Sequence, residues 1–150
     1  MKTSTWRSMI VLALAALSVL GASRAVADQY PVVGGDFWEV TGVKLKDGGA
    51  LSYANFLASE WKKDQEFAKS KGWIKSYMVL ANTYAREGEP DLYLITVTDR
   101  LITGPEGEKR QAEYMEWSKT SIADMEKASG NRAEFRTILT SSLLQELKFR

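Results

Sequence analysis

From Ala50 to Lys71 neither proline nor glycine interrupts the chain, and Gly72 closes the run. Within it Tyr53, Phe56, Leu57, Trp61 and Phe67-Ala68 recur at spacings of three and four, while Lys62, Lys63, Gln65, Glu66 and Lys69 take the other side. This period predicts an amphipathic helix with one face to bury. The rest of the chain must therefore offer an apolar surface to receive it.

The flanking segments read as strands. "FWEVTGVKLK" (37–46) is rich in β-branched and aromatic residues and meets the turn "DGG" (47–49). "WIKSYMVLANTY" (73–84) and "LYLITVTD" (92–99) are separated by the turn "AREGEPD", which predicts a hairpin. "RLITGPEGE" (100–108) reads as a loop, with one helical turn as the alternative. A second helix is expected from about Lys109 to Ala128, with Met115, Ile122 and Met125 on its apolar line and "SGN" (129–131) at its end. The tail is expected to be a strand from near Leu143, preceded by an extended piece at Arg136 to Leu139. The order is β-α-β-β-α-β, an α+β fold in two halves that each need a crossover helix. Glu60-Trp61 in the first helix returns as Glu116-Trp117 in the second. The repeat is read as pseudo-symmetry, with one large aromatic at the helix–sheet border of each half.

The N-terminal residues read as an export address. Lys2 and Arg7 are followed by the apolar run Met9 to Leu20 and by "ASRAVADQY", with small residues at Ala25 and Ala27. A cleaved secretory signal peptide over 1–27 is expected, followed by a lead-in at 28–36 and a domain at 37–150. The expected location is the periplasm or the secreted space. With Lys2, Arg7 and Arg24 gone, 20 basic residues against 19 acidic become a net charge of −2. That balance provides no broad basic field, so neither nucleic acid nor, after cleavage, a membrane is an expected partner.

Composition excludes more chemistry than it suggests. The chain has no histidine and no cysteine. Imidazole general bases, His-dependent triads, protein-histidine haem ligation and the common zinc sites all fall away. No EF-hand-like run is present, and neither a metal nor a cofactor is expected. Ser59-x-x-Lys62 fits the pattern of serine acyl-enzymes, but the S-D-N and K-T-G partners of those enzymes are missing. "GPEGEK" lacks the spacing of a phosphate loop. Glu60 and Asp64 share a helix face among lysines and read as surface charge.

The more informative polar residues interrupt the strands: Glu39 and Thr41, Lys75 and Tyr77, Thr96 and Thr98, and Gln145. Period-two alternation places each set on one sheet face. The same strands carry Phe37, Trp38, Trp73 and Tyr93. Aromatics among a few polar groups suit a dimer interface, a ligand cavity or plain surface.

The element order resembles the ferredoxin-like sandwich, and in particular the dimeric α/β-barrel superfamily. That group includes stress-responsive and antibiotic-biosynthesis monooxygenase-like, EthD-like and NIPSNAP-like domains. The resemblance covers about Phe37 to Arg150 and rests on element order and lengths. It implies a homodimer whose sheets face each other around a cavity. The expected function is binding of a small, partly apolar molecule there, with Glu39, Lys75, Tyr77 and Thr96 as polar anchors and Trp38 as a wall. The alternatives are a cofactor-independent monooxygenase-like or isomerase-like enzyme, with Glu39 or Tyr77 as acid–base group, and a structural or protein-interaction module of the envelope.

Overall fold

The computed structural model describes residues 29–150. The expected signal peptide at 1–27 lies outside the described residues. The body built from Pro31 to Arg150 is α+β, with four antiparallel strands in the order β2-β3-β1-β4. The strands are β1 (Val32–Leu45), β2 (Ser76–Ala81), β3 (Leu92–Thr98) and β4 (Arg136–Phe149). Among the described residues no helix is long and apolar enough to cross a membrane.

The proline- and glycine-free run folds as expected into a continuous helical rod. It comprises α1 (Ala50–Phe56), a π-helical segment (Leu57–Trp61) and α2 (Lys62–Ser70). Gly72 ends it at φ 68°, where a left-handed residue is favoured, and Trp73 N donates to Ala68 O at 2.9 Å. The second helix differs from expectation. It begins at Gly104 rather than near Lys109, with Thr103 as N-cap and a proline in its first turn, and it is two helices: α3 (Gly104–Ser118) and α4 (Ile122–Asn131). Lys119 turns left-handed at φ 57°. Ser121 then opens α4 with a full capping box, its hydroxyl accepting from Asp124 N while Asp124 accepts from Ser121 N. A serine three residues before an aspartate outweighs the apolar period that runs across it.

The strands are longer than the pattern suggests at both chain ends. β1 starts at Val32, so the lead-in belongs partly to the sheet, and a register irregularity between Gly34 and Phe37 absorbs the glycines. β4 is one strand from Arg136, pairing along β1 from Leu45 to Val32. The hairpin turn is tied to β1 by Asp91. Its carboxylate accepts from Lys44 Nζ at 2.7 Å and from Leu45 N at 2.8 Å, and its own N–H donates to Val43 O at 2.8 Å.

Two aromatic clusters form along the helical rod. Tyr53, 2% exposed, stacks on Phe56 and meets Phe135, and Val43 on β1 is 1% exposed. Phe67 takes Trp73 edge-on and Trp117 face-on, the latter with centroids 4.1 Å apart. The two Glu-Trp pairs are thus not equivalent. Trp61 meets Tyr77 on the sheet, whereas Trp117 packs against Phe67 on the neighbouring helix.

Candidate functional site

The cross-strand register decides which polar residues meet. Glu39 pairs with Thr96 of β3, and Thr96 with Tyr77 of β2. All three side chains lie on the face beneath the helical rod. Thr96 Oγ1 donates to Gln65 Oε1 at 3.3 Å, Tyr77 donates to Glu66, and Trp61 stands edge-on to Tyr77 at 5.4 Å. Glu39, Thr41, Val43, Leu94 and Thr96 form the floor of a cavity of about 270 Å³. Tyr53, Phe56, Trp61 and Gln65 roof it, and Arg132, Arg136 and Ile138 close one end.

The local sequence builds this hollow. A helix lying on a sheet normally seals against apolar side chains, but here β1 presents Glu39 and Thr41 before Val43 restores an apolar contact. The rod also widens at the same place. Its π-helical segment runs from Leu57 to Trp61 directly before the turn carrying Gln65, and such segments recur at functional sites. Glu39 and Thr96 also border a second concavity of about 280 Å³ with Trp73, Arg110 and Leu143.

The five residues expected to act together divide between locations. Glu39, Tyr77 and Thr96 share the helix-covered face. Trp38 lies on the opposite face, paired with Val97 and Leu144, and its indole Nε1 is buried without a partner among the described residues. Lys75 is held by Asp36 at 2.6 Å, which raises the lysine above its ordinary value and lowers the aspartate. The phenol of Tyr77 is raised, first by its bond to Glu66, so it stays protonated at neutral pH and acts as a donor.

Ser59 donates to Asn55 O at 2.7 Å, which ties its hydroxyl to the helix backbone. Behind the rod, Asp64 accepts from Tyr114 at 2.9 Å in a separate hollow of about 350 Å³. Burial raises Asp64 and pushes Tyr114 up to about 12. Among the described residues no cluster of three or more carboxylates could hold a metal ion.

Sequence reasoning did not find Tyr53, Gln65, Arg132 or Arg136. The two arginines are four apart in "NRAEFR", a spacing that straddles the end of α4 and the start of β4. Their position over β1 follows from the pairing of Arg136 with Leu45, which no local pattern encodes.

Comparison with protein-family models, with curated proteins and with solved structures gave no match to this chain. The reading of the site therefore rests on its geometry.

Proposed function

We propose that this is an exported, ferredoxin-like domain that binds a small, partly apolar molecule between its sheet and the helical rod. The observation carrying the proposal is the floor of Glu39, Thr41 and Thr96 under the aromatic roof of Tyr53, Phe56 and Trp61. A few convergent polar groups within apolar walls are the usual composition of a ligand pocket. At about 270 Å³ the cavity suits a ligand about the size of a single ring. The strand order β2-β3-β1-β4, with helices after β1 and after β3, supports the ferredoxin-like assignment. The apolar run and small-residue cleavage pattern before Asp28 support export.

A thermal-shift screen of neutral and charged single-ring compounds tests the pocket, with Thr41→Trp as the blocked variant. At least one compound should raise the Tm of the wild type and leave the folded blocked variant unmoved, because only native-state binding stabilises by mass action. No shift anywhere in the screen, or shifts that persist in Thr41→Trp, would refute the reading.

The homodimer belongs to the same proposal. Edge strand β4 leaves Leu144 55% and Leu147 61% exposed. An exposed apolar edge strand is a template for pairing, and a second copy would cover it. Light scattering should give a dimer for the wild type and a monomer for Leu144→Glu; a monomeric wild type at high concentration refutes it.

A further inference from the structure

We infer that Tyr53, Arg132 and Arg136 form a carboxylate-binding end to the pocket, so that the ligand is a small organic acid with an apolar body. This assignment rests on the pocket proposed above and specifies what the pocket holds. Three donor-bearing side chains line that end, and none has a hydrogen-bond acceptor among the described residues. Neither guanidinium takes part in an ion pair or hydrogen bond among the described residues, whereas Arg100 and Arg110 are both spent on Glu106. Arg132 Nε is buried without a partner. The hydroxyl of Tyr53, a residue only 2% exposed, likewise makes no hydrogen bond among the described residues. Arg132 Nε is the buried member of this set, an unpaired buried donor is costly, and the Tyr53 and Arg136 donors line the same hollow beside it.

The rest of the end wall fits the body of such an acid. The Arg132 guanidinium lies 4.4 Å from the centroid of the Phe56 ring, and Val43, Trp61 and Ile138 are apolar. The cation over the Phe56 ring anchors the side chain, and a planar guanidinium fork matches a carboxylate through paired N–H donors. Helix capping explains only part of the arrangement. Arg132 is the C-cap of α4, where a cation is favoured, but Arg136 lies on β4 opposite Leu45 and has no such role.

The two arginines differ in their charged surroundings, and Arg136 is the one that leaves room for an anion. Glu60 and Asp64 flank Arg132 from the hollow behind the rod. At Arg136 the acting neighbours are Tyr53 and Arg132, with no carboxylate among them. Glu39 lies four residues along β1 from Val43, about 13 Å at the usual rise of a strand, so it stands clear of an anion held at Arg136.

The test is calorimetric titration with benzoate, phenylacetate and cyclohexanecarboxylate, each beside its neutral carboxamide, on the protein as it is expressed from the full-length gene. At least one acid should bind the wild type ten-fold or more tighter than its amide, the worth of one charge-assisted hydrogen bond at its lower limit. Arg136→Gln should lose about that factor for the acid while leaving the amide unchanged, and Arg136→Lys should recover part of it. Tyr53→Phe removes one donor with the ring retained, and should weaken the acid several-fold even where the arginine variants fold poorly. Equal affinity of acid and amide in the wild type overturns the anion assignment and leaves the pocket standing. Binding of neither acids nor amides overturns both. An acid preference that survives Arg136→Gln and Tyr53→Phe alike places the anion elsewhere and overturns the assignment.

Discussion

Tyr114 donates its phenolic hydrogen to Asp64 across 2.9 Å, a bond that joins α3 to α2 on the side of the rod away from the hollow above Glu39. Both groups are partly withdrawn from water, and burial raises each above its ordinary value. Tyr114→Phe leaves the Asp64 carboxylate without its donor and should cost about 1–2 kcal/mol at neutral pH. The sign of the pH dependence follows from Asp64. Because its folded value is raised, the folded state binds the proton more tightly, so this group's effect on stability becomes less favourable as pH rises from the ordinary carboxylate value through the raised one. The loss from Tyr114→Phe should therefore shrink below that window. Urea melts of both proteins at pH 3.5 and 7 check it; an equal loss at both values would disprove the role assigned to the bond.

Glu106 gives the opposite dependence. It receives a two-pronged bond from Arg100 at 2.6 and 2.7 Å and a further bond from Arg110, and these hold its carboxyl down at about 2. A lowered folded value means the stabilisation is complete above the ordinary glutamate value and disappears as pH falls toward 2. Glu106→Gln should flatten the acid limb of the Tm–pH curve without altering its neutral-pH slope. Differential scanning calorimetry from pH 2 to 7 decides it, and an acid limb of unchanged steepness would count against the triad.

Gly42 marks a close crossing between β1 and the hairpin turn. A Cβ built there meets Pro90 Cγ at 2.6 Å, well inside contact distance, and the turn is pinned in place by Asp91. Gly42→Ala should destabilise by about 1–3 kcal/mol through overpacking. Gly48 has open space around the same position, so Gly48→Ala reports only the strain of its φ of 72° and should cost about 1 kcal/mol. Chemical denaturation of the pair separates crowding from backbone strain.

Ser121 sets where α4 begins. Ser121→Ala removes the capping bond to Asp124 N and should cost about 1 kcal/mol, concentrated at the first turn of α4. Amide exchange should quicken at Ala123 to Met125 while the amides of β3 keep their protection. Uniform loss across the molecule would mean that the break at Lys119 is fixed by packing instead.

The helical rod was readable because its apolar residues recur with the helical period and Gly72 closes it. The hairpin was readable from glycine and proline between two β-rich runs. The break between α3 and α4 was written in Ser121 and Asp124, but the apolar line through Met115, Ile122 and Met125 masked it, since a period continues through a short interruption. Glu39, Thr96 and Tyr77 were legible as polar residues within strands, and pairing brings them to one face. Trp38 and Lys75 lie apart from that group: Trp38 is adjacent to Glu39, so alternation itself turns it to the other face, and Lys75 precedes β2 and is drawn to Asp36 by an ion pair that no local pattern encodes.

By itself the sequence determined the α+β class, the main elements and the absence of imidazole and thiol chemistry, all properties of composition or of spacing along a few turns. Tertiary structure alone decided that Arg136 would sit opposite Leu45, that Tyr53 and Arg132 would converge beside it, and that a hollow would lie above Glu39. Those contacts join residues far apart in the chain. They depend on the register of one strand pair, where a shift of a single residue would turn every side chain to the other face.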